Sequence, residues 1–164
     1  MLPEVRTDGE APPPGLVAAW LVLGVLPAES VPMWSAYWLA QGYDGKSLAE
    51  LAGLSGRDAD EVRALVPAAL EEIGIRPLPS KESALSTFYA QIATMHLDGR
   101  LDWASAVNAV ANLVITHGHT AELVEPPMGV LWDIAGDTET PHAELAAGVR
   151  RACLDQLQDG TPNG

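Results

Sequence analysis

The sequence predicts an all-α protein: a single-domain bundle of about seven or eight helices, some short, behind a flexible, acidic and proline-rich N-terminal tail. Three observations predict it. Apolar residues recur at three- and four-residue intervals, the spacing that lines one face of a helix. Glycines stand just past most of those runs, at Gly42, Gly53, Gly74, Gly99, Gly118, Gly136 and Gly160, where helices commonly stop. Nowhere do β-branched residues alternate over the length of a strand.

Residues 1–14 read as a tail, acidic and ending in "APPP", without periodicity. The run "GLVAAWLVLGVLP" from Gly15 to Pro27 is apolar throughout and reads as a buried first helix. It is too short for a bilayer, which takes about 20 apolar residues. An export leader needs a basic start, whereas Glu4, Asp8 and Glu10 precede this run against Arg6 alone. In "VPMWSAYWLA", Pro32 suits a first turn, and the spacing puts Trp34, Tyr37 and Trp38 on one helical face. Gly42 ends that helix, and Lys46 opens a short one ending near Leu51.

A longer helix buries Val62, Leu65, Val66, Ala69, Leu70 and Ile73. Asp58 and Glu61 are placed as its capping box, and Pro67 should kink it or split it. Next come a face of Leu85, Phe88, Tyr89, Ile92 and His96 started by Ser80, and one of Trp103, Ala106, Val107, Val110 and Val114 started by Asp102. A last face carries Leu145, Val149, Ala152 and Cys153, with Thr140-Pro141 as cap and first turn. No linker or repeat interrupts residues 15–158, so one domain is expected there, with "DGTPNG" at 159–164 as a second tail.

The totals exclude several functions. The formal charge is −13, with an isoelectric point near 4.4. A chain so acidic is repelled by nucleic acid and by anionic lipid. Its single cysteine, Cys153, makes neither an internal disulfide nor a cysteine-rich zinc site, and a reducing cytoplasm is the simplest location. Arg outnumbers Lys, and Ala, Gly, Leu, Val and Pro are frequent, a bias that suits a high-GC bacterial genome.

Two motifs suggest nucleotides or DNA. "AQGYDGKS" matches a phosphate loop if Ala40 replaces the first Gly, with Gly45, Lys46 and Ser47 as the phosphate-binding residues. "GVLWDIAG" adds an Asp133-x-x-Gly136 element. Both need parallel strands in front of them, and the segment before Gly45 reads as helix. "SLAELAGLSGRDADEV" from Ser47 to Val62 resembles a DNA-reading helix–turn–helix in pattern. Its second helix opens with Asp58, Asp60 and Glu61, which would meet phosphates with like charge. A helical hairpin is expected there, not a DNA reader.

His96, His117 and His119 form the one conceivable metal set. Within a helix, however, His-x-His splays apart, and a histidine in a last turn, like His117, relieves the carbonyl dipoles instead. No triad-like order of nucleophile and base stands out, and neither a catalytic residue nor a cofactor is implied. Trp20, Trp34, Trp38, Trp103 and Trp132 sit at helical spacings that suit core packing over a ligand pocket.

The most unusual feature is a charge gap. Between Arg100 and Arg150 there is no Lys or Arg, while Asp102, Glu122, Glu125, Asp133, Asp137, Glu139 and Glu144 all lie there. Such a stretch is either a solvated face or a docking surface for a basic partner, formed by Glu122, Glu125, Asp133, Asp137, Glu139 and Glu144. Small acidic proteins that block basic toxins or nucleases work in this way. The sequence therefore points to a non-catalytic, cytoplasmic protein-binding domain, and it is compatible with a homo-oligomer. The alternatives are a phosphate- or ligand-binding helical protein or enzyme, and a structural or regulatory subunit that buries its tryptophans against a partner.

Overall fold

A computed structural model describes residues 11–159. Within them run nine α-helices and no strand: α1 (Pro14–Leu23), α2 (Val31–Ala40), α3 (Lys46–Gly53), α4 (Ala59–Glu72), α5 (Lys81–Leu97), α6 (Trp103–His117), α7 (Ala121–Val124), α8 (Val130–Ala135) and α9 (His142–Asp159). A 3-10 turn, Ala28–Ser30, leads into α2. The all-α class is as expected. The helix count exceeds the expectation because α7 and α8 are only four and six residues long, too short to show a periodicity. The packing falls into two compact units that meet between Ala84 and Leu85 in sequence.

In the N-terminal unit, α3 packs on both α2 and α4, and α1 lies on α4. Its buried side chains include Val17, Leu23, Trp34, Trp38, Leu48, Leu51, Val62, Val66 and Leu70. The rings of Trp20 and Trp34 meet at 5.6 Å between centroids, joining α1 to α2. Pro12 is buried and its carbonyl accepts the Trp38 indole N–H at 3.1 Å. Residues 11–14, counted with the tail on sequence grounds, thus help to cover the core, and Pro14 opens α1. The rest of that tail and residues 160–164 lie outside the described residues. The stop expected at Gly160 lies there too.

Helix starts follow the sequence closely. Asp58 accepts from the Glu61 amide at 3.2 Å and Asp102 from the Ser105 amide at 2.6 Å. Ser80 caps α5 through the Ser83 amide at 3.1 Å. Each replaces a bond that a first-turn amide cannot find within its own helix. Pro67 does not split α4, which continues through it. Pro67 and Arg63 are both exposed, so water can hydrate the carbonyl that the missing N–H leaves unbonded. At α9 the expected cap shifts by one residue: the carbonyl of Pro141 accepts from Glu144 and Leu145, and Thr140 is tied back to Asp137.

In the C-terminal unit α6 is central, against α8, α9 and the short α7, with α8 also on α9. Phe88, Ile92, Val110, Leu113, Leu123, Met128, Leu131, Val149 and Cys153 are buried. The Tyr89 hydroxyl donates to the Leu123 carbonyl at 2.6 Å, fixing α5 to the end of α7, and burial pushes its pKa up. Among the described residues, no helix is long and apolar enough to cross a membrane.

Candidate functional site

The charge gap lies wholly in the C-terminal unit, and local structure sorts its carboxylates into two kinds. Asp102 is spent on capping α6. Asp137 closes the turn between α8 and α9: one oxygen accepts from the amides of Glu139 (3.0 Å) and Thr140 (2.9 Å), the other from the Thr140 hydroxyl (2.6 Å). These bonds, the Thr140 hydroxyl foremost, hold the Asp137 pKa below the usual carboxylate range. For Asp102 the Ser105 amide does the same, assisted by the Ser105 side chain and by His96. Asp137, expected at the docking face, is half-buried, and its carboxylate bonds the turn.

The other five are different. Glu122 is in α7, Glu125 just after it, Asp133 in α8, Glu139 in the α8–α9 turn and Glu144 in the first turn of α9. All five are exposed. Ion pairs join Arg63 to Asp60, Arg76 to Glu71 and Arg100 to Asp98, and none of these three involves the five. Arg150 and Arg151 on α9 pair with none of them. Short helices and turns carry most of these carboxylates, so their charge is presented on backbone that is itself held by Leu123, Met128 and Leu131 in the core.

The histidines take other partners. His96 Nδ1 lies 2.8 Å from the Leu101 carbonyl, closing the α5–α6 turn. His117 is the last residue of α6. His119 is exposed and sets its ring edge-on to Trp132, at 6.1 Å between centroids. Among the described residues, no group of three or more His, Cys, Asp or Glu is placed to hold a metal ion, so His96, His117 and His119 are not brought together as ligands. A pairing not foreseen joins His142 to Trp103 at 5.7 Å, the first residues of α9 and α6.

The segment from Ala40 to Ser47 connects two helices, α2 and α3, so the strand that delivers a phosphate loop is replaced by helix. Asp133, in α8, likewise follows no strand. The amides of Ser47 and Leu48, at the start of α3, already have an anion. The Glu72 carboxylate, from the end of α4, accepts them at 2.9 and 3.2 Å. Its pKa is lowered, first by the Ser47 amide, then by Leu48, the Ser47 side chain and nearby Lys46. Gly45 is required by this contact: a Cβ there would stand 2.8 Å from Cδ and 2.9 Å from Cβ of Glu72. Gly45, Lys46 and Ser47 thus form a helix start capped from within the protein. Sequence reasoning missed Glu72 because it lies 25 residues away on another helix, and no local spacing links the two.

Of the five tryptophans, Trp20, Trp34 and Trp38 are buried, while Trp103 and Trp132 are half-buried beside their histidines. Cys153 is buried, its thiol pushed up to about 11 by that burial, so little thiolate is present at neutral pH. One open groove of about 380 Å³ lies along α9, with Pro126, Pro127, Val130, Arg151, Ala152 and Asp155 among its walls. No family model matches the chain, and neither the curated proteins nor the solved structures contain a match.

Proposed function

We propose that the chain is a non-catalytic, acidic protein-binding domain of the cytoplasm, docking a partner with a basic surface in the manner of an inhibitor or immunity-type protein. The observation that carries this is the set of five exposed, unpaired carboxylates, Glu122, Glu125, Asp133, Glu139 and Glu144, in a stretch without Lys or Arg. An unpaired surface charge adds little to folding, and exposed ion pairs are worth about 0–1 kcal/mol in any case. A one-signed field, in contrast, steers an oppositely charged protein and raises its association rate. Asp102 and Asp137 supply backbone contacts and need no partner; the five have no comparable internal use.

The test is capture from the native cell with the wild type and with a variant carrying Glu122→Gln, Glu125→Gln, Asp133→Asn, Glu139→Gln and Glu144→Gln. A Lys- and Arg-rich protein held by the wild type and lost by the variant is expected. Equal retention by both, or retention of no basic protein, contradicts the proposal.

A further inference from the structure

Helix α2 has two faces by geometry but only one chemistry. Val31, Trp34, Ser35 and Trp38 are buried, as the inner face of an amphipathic helix should be. The outer face, at the spacing 33, 36, 37 and 40, should then be polar. It is Met33, Ala36, Tyr37 and Ala40, with Met33 69% exposed and Tyr37 half-exposed. Tyr43, 40% exposed, follows the turn at Gly42. Tyr37, expected with the tryptophans, belongs to the edge of this outer face. From Ala11 to Tyr43 the only charged residue is Glu29. An exposed surface rich in Met and aromatic residues and free of charge has the composition of the centre of a protein interface.

We infer that this face pairs with the same face of a second copy of the chain, α2 lying antiparallel to α2 about a two-fold axis. Two observations select that occupant. The first is size matching. In an antiparallel pair related by a two-fold axis, the numbers of facing residues have a constant sum. With Ala36 facing Tyr37 of the partner subunit, Met33 faces Ala40 of the partner subunit, so each large side chain meets a small one. A parallel pairing would set Met33 against Met33 and Ala36 against Ala36, holding the helices apart at one end. The second is charge. Two copies each carrying −13 repel wherever carboxylates meet, and this helix face carries none. A basic partner gains nothing here, whereas an uncharged face matches itself. Isologous contacts of this kind are the commonest in soluble oligomers. The inference does not depend on the acidic face.

Sedimentation equilibrium of the full chain, from about 1 µM to about 1 mM, is expected to show a monomer–dimer equilibrium that tightens as salt screens the net charge. Met33→Glu and Ala40→Glu should each weaken it by roughly tenfold or more, since each sets an unpaired carboxylate in the contact. Ala68→Glu, on the exposed side of α4, should leave it unchanged. Circular dichroism of each variant confirms that the helices remain. Oxidation of Met33→Cys/Ala40→Cys should give a covalent dimer. Met33→Cys alone should not, because copies of residue 33 would be about 10 Å apart along the axis. A chain that stays monomeric throughout, or a dimer indifferent to both Glu substitutions, would overturn the inference.

Discussion

Two stretches of this chain lack positive charge, and they differ in what remains. Residues 11–43 hold almost no charge of either sign, and residues 101–149 hold seven carboxylates without a Lys or Arg. The first builds α1 and α2, whose helices have little polar face; the second builds α6 to α8 and the start of α9, whose turns and short helices place carboxylates outward. The contact proposed for the first would work by shape and apolar burial, which salt does not weaken. The contact proposed for the second would work by field, which salt does weaken. Net charge alone, at −13, does not separate them; placement does.

The comparison breaks most visibly in the core. Trp38→Ala, on the inner side of α2, should cost about 3–5 kcal/mol, since it empties a buried site and strands the Pro12 carbonyl. Met33→Ala, one turn away on the outer side, should stay within about 0.5 kcal/mol. Urea melts of both variants measure the difference directly. If the two cost the same, the inner and outer faces have been misassigned.

Tyr89→Phe should come next, at about 1–3 kcal/mol, because the buried Leu123 carbonyl loses its donor while ring packing is kept. The same melts report it. It also asks whether α7, which carries Glu122, is held by that bond: amide exchange at Leu123 and Val124 should quicken in the variant.

A smaller and pH-dependent effect is expected at the start of α3. The folded pKa of Glu72 is depressed, so its contribution is fully present above the ordinary value of 4.5 and is lost as pH falls through the lower folded value. Exchange protection of the Ser47 and Leu48 amides should follow that sign in the wild type, with correction for intrinsic exchange. Glu72→Ala should remove the step, and so should Gly45→Ala, whose Cβ displaces the carboxylate. A step that survives either substitution would mean another group caps the helix.

Much of the fold was legible because helices announce themselves locally. Ser80, Asp58 and Asp102 stand just before their apolar runs and do cap them. Gly74, Gly99 and Gly118 follow their helices in the left-handed region that favours glycine. Gly24 does the same, with φ 71°, yet escaped notice because apolar residues continue on both sides of it. Long-range contacts were not legible. Neither Glu72 at the start of α3 nor Pro12 over Trp38 leaves a trace at any fixed spacing. Among the carboxylates of the charge gap, five are exposed in the folded chain. The turn bonds of Asp137 were not legible, because only the folded backbone brings the Glu139 and Thr140 amides to its carboxylate.

The smallest expected effect on folding is at the acidic face itself. Glu122→Lys with Glu125→Lys should shift the urea midpoint by the equivalent of less than about 0.5 kcal/mol per site, both residues being exposed and unpaired. A larger loss would assign them a structural role. The direct test of the docking proposal is the association rate of the chain with its captured basic partner as ionic strength rises. Between 0.1 M and 1 M salt the Debye length falls from about 10 Å to about 3 Å. The rate should fall by about tenfold or more over that range, and in the Lys variant it should start low and respond little to salt. A wild-type rate that is flat with salt and unchanged by the double substitution would contradict the account.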